Sequence, residues 1–261
     1  RQPFRYLLVL VFFSCAEEFV PDNPIDPDNP DYIPPIVSIV SSPSEGEIIT
    51  SESAVFTYAG NEESMLFRTK LDTSIWSGWV NSVSKTLYYL DEGEHVFYLQ
   101  GMYTTGDTSE IIFTSFEVNA VTGPSLLFLP RRHIAATGQT VTFQILAEEV
   151  YNLAGAEFIL NYNSSKMSIE DIREGNIFNQ NGNPIFLYNL RSDIGELTIT
   201  SAVWEGDEPS FVGTGSIVEV DVRLIQDGST TIEFDGNEIF RDLNNSNIIL
   251  NESVGGFITN P

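Results

Sequence analysis

Glu205, Asp207 and Glu208 follow Trp204 closely enough to act on one substrate. Glycoside hydrolysis needs two carboxyl groups across a sugar, one of them kept protonated near neutral pH. Three acids on one exposed-looking loop read better as a solvated turn. His95 and His133 lie far apart, and neither has the near companion that a histidine metal site or a nucleophile–base pair requires. His95, in mid-strand, suits a structural role. No Gly-x-Ser-x-Gly elbow and no Gly-x-x-x-x-Gly-Lys phosphate loop occurs. Arg241-Asp-Leu-Asn-Asn-Ser-Asn247 offers several oxygens for a structural Ca²⁺, but it lacks the Asp-x-Asp-x-Asp-Gly order of an EF-hand loop. A polar turn is the plainer reading. The chain is therefore expected not to be an enzyme and to carry no cofactor, with a structural Ca²⁺ as the one metal alternative.

Aromatic side chains offer a different chemistry, the stacking of rings on sugar faces. Phe186, Tyr188 and Trp204 are candidates for such a row, as are Trp76 and Trp79. For the latter pair, packing against a sheet edge is the plainer expectation.

The lone cysteine, Cys15, excludes an intrachain disulfide and any cysteine-cluster metal site. Its position says more. Arg1 and Arg5 precede the apolar run Tyr6–Phe13, which is shorter than the roughly 20 residues that cross a bilayer. It has the length of a signal-peptide core. The chain does not open on Met, so its start is expected to be truncated or processed. Ser14-Cys15-Ala16 resembles a bacterial lipobox, and Cys15-Ala16-Glu17-Glu18 resembles the acidic tag of surface-exported lipoproteins of Bacteroidota. Phe12 and Phe13 depart from that pattern. The resemblance implies lipid attachment at Cys15, membrane contact through that lipid only, and display on the outer membrane, facing outward. An ordinary secretory signal is the alternative. Residues 1–15 are thus read as signal and lipobox, and 16–33 as a disordered Pro/Asp-rich tether. Proline removes backbone donors there and the carboxylates repel one another.

The net charge of −25, with 12 Lys and Arg against 37 Asp and Glu, speaks against nucleic acid as a partner. It also predicts solubility, and leaves room for a basic partner.

The elements that must position these residues read as strands. In residues 34–120, apolar residues alternate over Ile36–Val40, Ala54–Tyr58, Met65–Leu71, Thr86–Leu90, Glu94–Gln100 and Glu110–Val118, with turn residues between. Short alternating runs broken by turns predict a β-sandwich. Lys70-Leu71-Asp72, Trp76, Trp79, Leu90 and Gly93-Glu94-His95-Val96-Phe97 resemble bacterial immunoglobulin-like or fibronectin-III-like modules.

Residues 123–261 resume the rhythm. Val141, Phe143 and Ile145 are expected inward, then Phe158, Leu160 and Tyr162, with a turn over 150–155. Further strands follow at 185–190, 196–203, 216–224 and 230–234. About nine strands predict a sandwich of jelly-roll type, so the whole chain is expected to be all-β, two tandem sandwiches. An ordered series of matches here resembles the cohesin family: Gly138–Phe143, Asn152–Asn163, Gly195–Ala202, Gly215–Leu224, Gly228–Asp235, Phe240-Arg-Asp242 and Gly255-Gly256. The resemblance implies a binding module that captures dockerin modules of other proteins on one sheet face, the dockerin carrying the Ca²⁺. The implied face includes Glu157, Ile159 and Asn161, joined by Thr198 and Thr200. Gly155 stands where some cohesins place a polar contact residue, a departure from the family's pattern. The plain alternative for all these positions is a solvated sheet face.

Three functions are consistent with this reading. The first is a surface-anchored, non-catalytic scaffold that captures a protein partner in polysaccharide degradation. The second is a polysaccharide-binding lipoprotein, and the third a structural spacer.

Overall fold

The computed structural model describes residues 21–179, 183–204 and 210–260. Cys15 and the Glu205, Asp207, Glu208 cluster lie outside the described residues. The tether expected to be disordered over 16–33 is instead a run of turns from residue 21 on, with hydrogen bonds Asp26 to Asn23, Asn29 to Asp26 and Tyr32 to Asn29, because Ile25 and Tyr32 pack against the core of the first half. Every regular element among the described residues is a strand.

The first half carries β1 (Val37–Ser41), β2 (Glu47–Ile49), β3 (Ala54–Gly60), β4 (Leu66–Leu71), β5 (Ser84–Leu87), β6 (Gly93–Met102) and β7 (Ile112–Val118). They form two sheets, in the orders β1-β3-β5 and β2-β7-β6-β4. Alternation does the sorting: Ala54, Phe56 and Tyr58 of one sheet, and Phe67, Phe97, Leu99 and Phe116 of the other, enter one core. Phe56 stacks on Phe97 at a centroid distance of 3.9 Å. Full burial of each such side chain contributes about 1.5–3 kcal/mol. The strand expected at 86–90 instead ends at Leu87. Tyr89 adopts φ 56°, a left-handed turn that ends the extended run and lets Leu90 fold into the core.

The second half carries β8 (Ser125–Leu129), β9 (Arg132–Ile134), β10 (Thr140–Tyr162), β11 (Met167–Glu174), β12 (Asn183–Arg191), β13 (Glu196–Trp204) and β14 (Phe211–Leu224). It ends with β15 (Thr230–Phe234), β16 (Ile239–Asp242), β17 (Asn247–Ile248), β18 (Glu252–Val254) and β19 (Gly256–Thr259). These are twelve strands where about nine are expected, because short pairings such as β9, β17 and β18 leave little periodic signal. The turn expected at 150–155 is absent. There β10 runs on as strand, with φ 47° at Glu149, φ 61° at Asn152 and slips of register against β14. Such bulges bend and twist a strand without ending it. The stretch Thr140–Ala147 of β10 pairs with β14 and β8, and the stretch Gly155–Tyr162 with β13, β15 and β16. One strand thus serves both layers. Phe128, Phe143, Phe158, Leu160, Leu197 and Ile199 fill the core between them.

The two halves meet where the Arg131 backbone N–H donates to Asp91 at 2.5 Å and its guanidinium pairs with Glu52 at 2.8 Å.

Candidate binding face

Strand β13 lies between β10 and β12, and its register settles which side chains share a face. Glu157 opposes Thr200, which opposes Leu187; Ile159 opposes Thr198, which opposes Asn189. Directly opposed residues point to the same side of a sheet. Asn161 and Glu196 form the next row, closed by Arg191 paired with Glu196. Glu157, Ile159, Asn161, Thr198 and Thr200 therefore stand together on the outer side. Phe158, Leu160, Leu197 and Ile199, the residues between them, are buried on the inner side. Thr200 Oγ1 donates to Glu157 Oε2 at 3.1 Å, so the middle of the face is tied across strands.

On the other flank β16 places Ile239 opposite Glu157, and Arg241 opposite Gly155. A groove of about 520 Å³ runs here. Its floor is Gly155 and Ala202, opposed in register. Ile239, Arg241, Leu243 and Trp204 rise around it. Trp204 is 63% exposed and Leu243 47%. A Cβ built on Gly155 would meet the Ala202 Cβ at 3.4 Å, an ordinary contact, so glycine here makes room rather than a turn. Sequence reasoning missed Leu187, Ile239 and Leu243. The alternation within β12 and β16 carries their facing; what it lacks is the identity of the neighbouring strands.

The proposed glycan row is split by the sheet. Phe186 opposes Ser201 and Tyr188 opposes Ile199, so both face away from the outer side; Phe186 packs on the core, while Tyr188, on the edge strand, is 54% exposed. Their rings are 6.1 Å apart and tilted by 53°. Trp204 falls in the Thr198–Thr200–Ala202 row, on the outer side. Strand parity separates the three, and they do not form one stacking platform.

At 241–247 the oxygens close a turn. Asp242 Oδ1 accepts the backbone N–H groups of Asn244 and Ser246, each at 2.8 Å. Among the described residues no group of His, Cys, Asp and Glu is arranged to hold a metal ion. His95 is buried, with Nδ1 2.8 Å from Asp72 Oδ2 and Nε2 2.8 Å from the Asp91 carbonyl. His133 contacts the Thr142 carbonyl through Nε2, and burial lowers its pKa. On the other layer, hydrogen bonds from Arg173 hold the Asp221 carboxyl below its usual range, helped by Thr142.

Residues 131–256 match the family model of the Cohesin domain. No curated protein matches the chain. Similar solved structures include a non-cellulosomal cohesin from Archaeoglobus fulgidus, with 16% identity, 52% of this chain and 90% of that one covered, and a TM-score of 0.44. A cohesin of Clostridium acetobutylicum studied in solution has 19% identity, 52% and 88% coverage and a TM-score of 0.45. The sixth cohesin of Acetivibrio cellulolyticus scaffoldin B, in complex with a Cel5 dockerin, has 15% identity, 54% and 100% coverage and a TM-score of 0.46.

Proposed function

We propose that residues 131–256, which match the Cohesin domain model, are a non-catalytic interaction module, and that the outer face of β12, β13, β10 and β16 captures a partner protein, a dockerin-bearing one. The observation that carries this is the register that gathers Glu157, Ile159, Asn161, Thr198 and Thr200 on one accessible side. Affinity at such faces comes from a few anchors that become desolvated rather than from area. Ile159 and the Gly155–Ala202 groove offer an apolar seat, while Glu157 and Glu233 favour a partner with basic side chains beside its anchor. In this reading Cys15 bears the lipid, the segment between Cys15 and the turns that pack on the first half joins the modules to the outer membrane, and the captured protein acts on polysaccharide outside the cell.

The test is capture of purified dockerin modules encoded by the source organism on the immobilised chain, with Ca²⁺ or with EDTA. One module should bind saturably, and the Ile159→Asp/Thr200→Asp variant should weaken it at least 30-fold. Binding by no dockerin, or binding indifferent to those substitutions, would overturn the proposal. Metabolic labelling with a fatty acid, lost in Cys15→Ser, tests the anchor.

A further inference from the structure

The outward side of the first half carries a second surface, built on β4. After β4 the chain returns along it: Phe67 and Val80 exchange backbone hydrogen bonds at 2.7 and 2.9 Å, and Ser77 N–H donates to the Thr69 carbonyl at 2.9 Å. This return sets Trp76 and Trp79 beside Arg68, whose guanidinium carbon lies 4.8 and 4.6 Å from their ring centroids. Lys70 Nζ follows, 5.5 Å from Trp76 and 4.3 Å from Tyr98. Phe113 continues the row 5.9 Å from Tyr98 and is 63% exposed. Rings and cations alternate along one sheet face.

The cations gather at one end of this face, whose other end carries Glu94 and Glu117. Arg131, Arg173 and Arg191 each lie within ion-pair distance of a carboxylate. Among the described residues Arg68 and Lys70 have none, as is also true of Lys85, Arg132, Lys166, Arg223 and Arg241; what sets Arg68 and Lys70 apart is their place against the rings. Arg68 Nε and Nη2 both donate to Gln100 Oε1, at 2.9 and 2.6 Å. Gln100 is buried and donates in turn to the Ser109 carbonyl. The guanidinium is therefore held from behind, with Nη1 left over, and the Lys70 ammonium makes no hydrogen bond to a described residue. Cations fixed over ring faces give up part of their hydration while keeping their charge.

We propose that this row binds an acidic polysaccharide, a chain of uronic-acid units. Its carboxylates would meet Arg68 Nη1 and Lys70 Nζ, and its apolar sugar faces would lie on Phe113 and the open parts of Tyr98 and the tryptophans. An acidic peptide supplies the carboxylates but no ring faces to match the alternation. The inference is independent of the partner-binding reading of the second half.

Isothermal titration of the full chain with an oligogalacturonate, a neutral cello-oligosaccharide and poly-glutamate tests it. The oligogalacturonate should bind saturably, lose affinity as salt rises, and quench tryptophan fluorescence. The neutral sugar should bind at least tenfold more weakly. Arg68→Gln/Lys70→Gln should lose at least tenfold, Lys70→Arg should stay within about threefold, and Phe113→Ala should lose several-fold. Should the double variant fail to fold, Lys70→Gln alone, with the same expected direction, decides the matter. No saturable binding of the oligogalacturonate, equal affinity in the charge-neutral variant, or tighter binding of poly-glutamate would each overturn the proposal.

Discussion

Gly155→Leu separates docking from folding. Gly155 lies mid-strand with neither a left-handed φ nor a backbone atom closer than 3.7 Å to its built Cβ. Glycine in a strand interior costs roughly 0.5–1 kcal/mol against a residue with a side chain, through the freedom it loses on folding. The substitution should leave stability unchanged or raise it by up to about 1 kcal/mol. The new side chain would rise from the floor of the groove, between Ala202 and Arg241, where the partner's anchor is proposed to sit. Excluding one well-packed anchor loses about 2 kcal/mol or more, and at 1.4 kcal/mol per tenfold that is about a 30-fold weaker Kd. Denaturant unfolding of the variant measures the first quantity and biolayer interferometry against the captured protein the second. Undiminished binding would show that the partner does not use the groove. Loss of folding would show that the floor is closed to a side chain, contrary to the spacing at Ala202.

Other substitutions probe what holds the face in place. Ser201 is fully buried directly behind it, and its Oγ has no hydrogen-bond partner among the described residues; relief of that unmet group should make Ser201→Ala about 1 kcal/mol more stable in urea, with binding unchanged. Gly195 turns β12 into β13 at φ 70°, and a Cβ there would lie 2.0 Å from the Tyr162 carbonyl oxygen. Gly195→Ala should cost about 2–3 kcal/mol and weaken partner binding by displacing Thr198 and Thr200, both read in one titration series. Because the folded-state pKa of Asp221 is depressed, the stability it contributes is present above its unfolded value of about 3.9 and is lost as pH falls through the folded value. Thermal melts should therefore show an acid-limb decline that is shallower in Asp221→Asn, and identical limbs would count against the Arg173–Asp221 bonds as its source.

Alternation alone placed Phe158, Leu160 and Tyr162 inward and Glu157, Ile159 and Asn161 outward, because a strand turns successive side chains to opposite sides whatever lies next to it. The spacing of short runs and turns likewise marked an all-β chain with apolar cores in both halves. Facing is a local property, and so it was legible. Neighbourhood is not. That Thr200 stands beside Glu157, that Ile239 and Leu243 border the same groove, and that Trp204 is parted from Phe186 and Tyr188 all depend on which strands pair and in what register. The continuation of β10 through 150–155 was hidden for a related reason: residues that look like a turn in isolation are held extended by β14 on one side and β16 on the other. The cation–ring row on β4 needed the return of the chain past Trp76 and Trp79. Sequence patterning decides which way a side chain points, and long-range hydrogen bonding decides what it points beside.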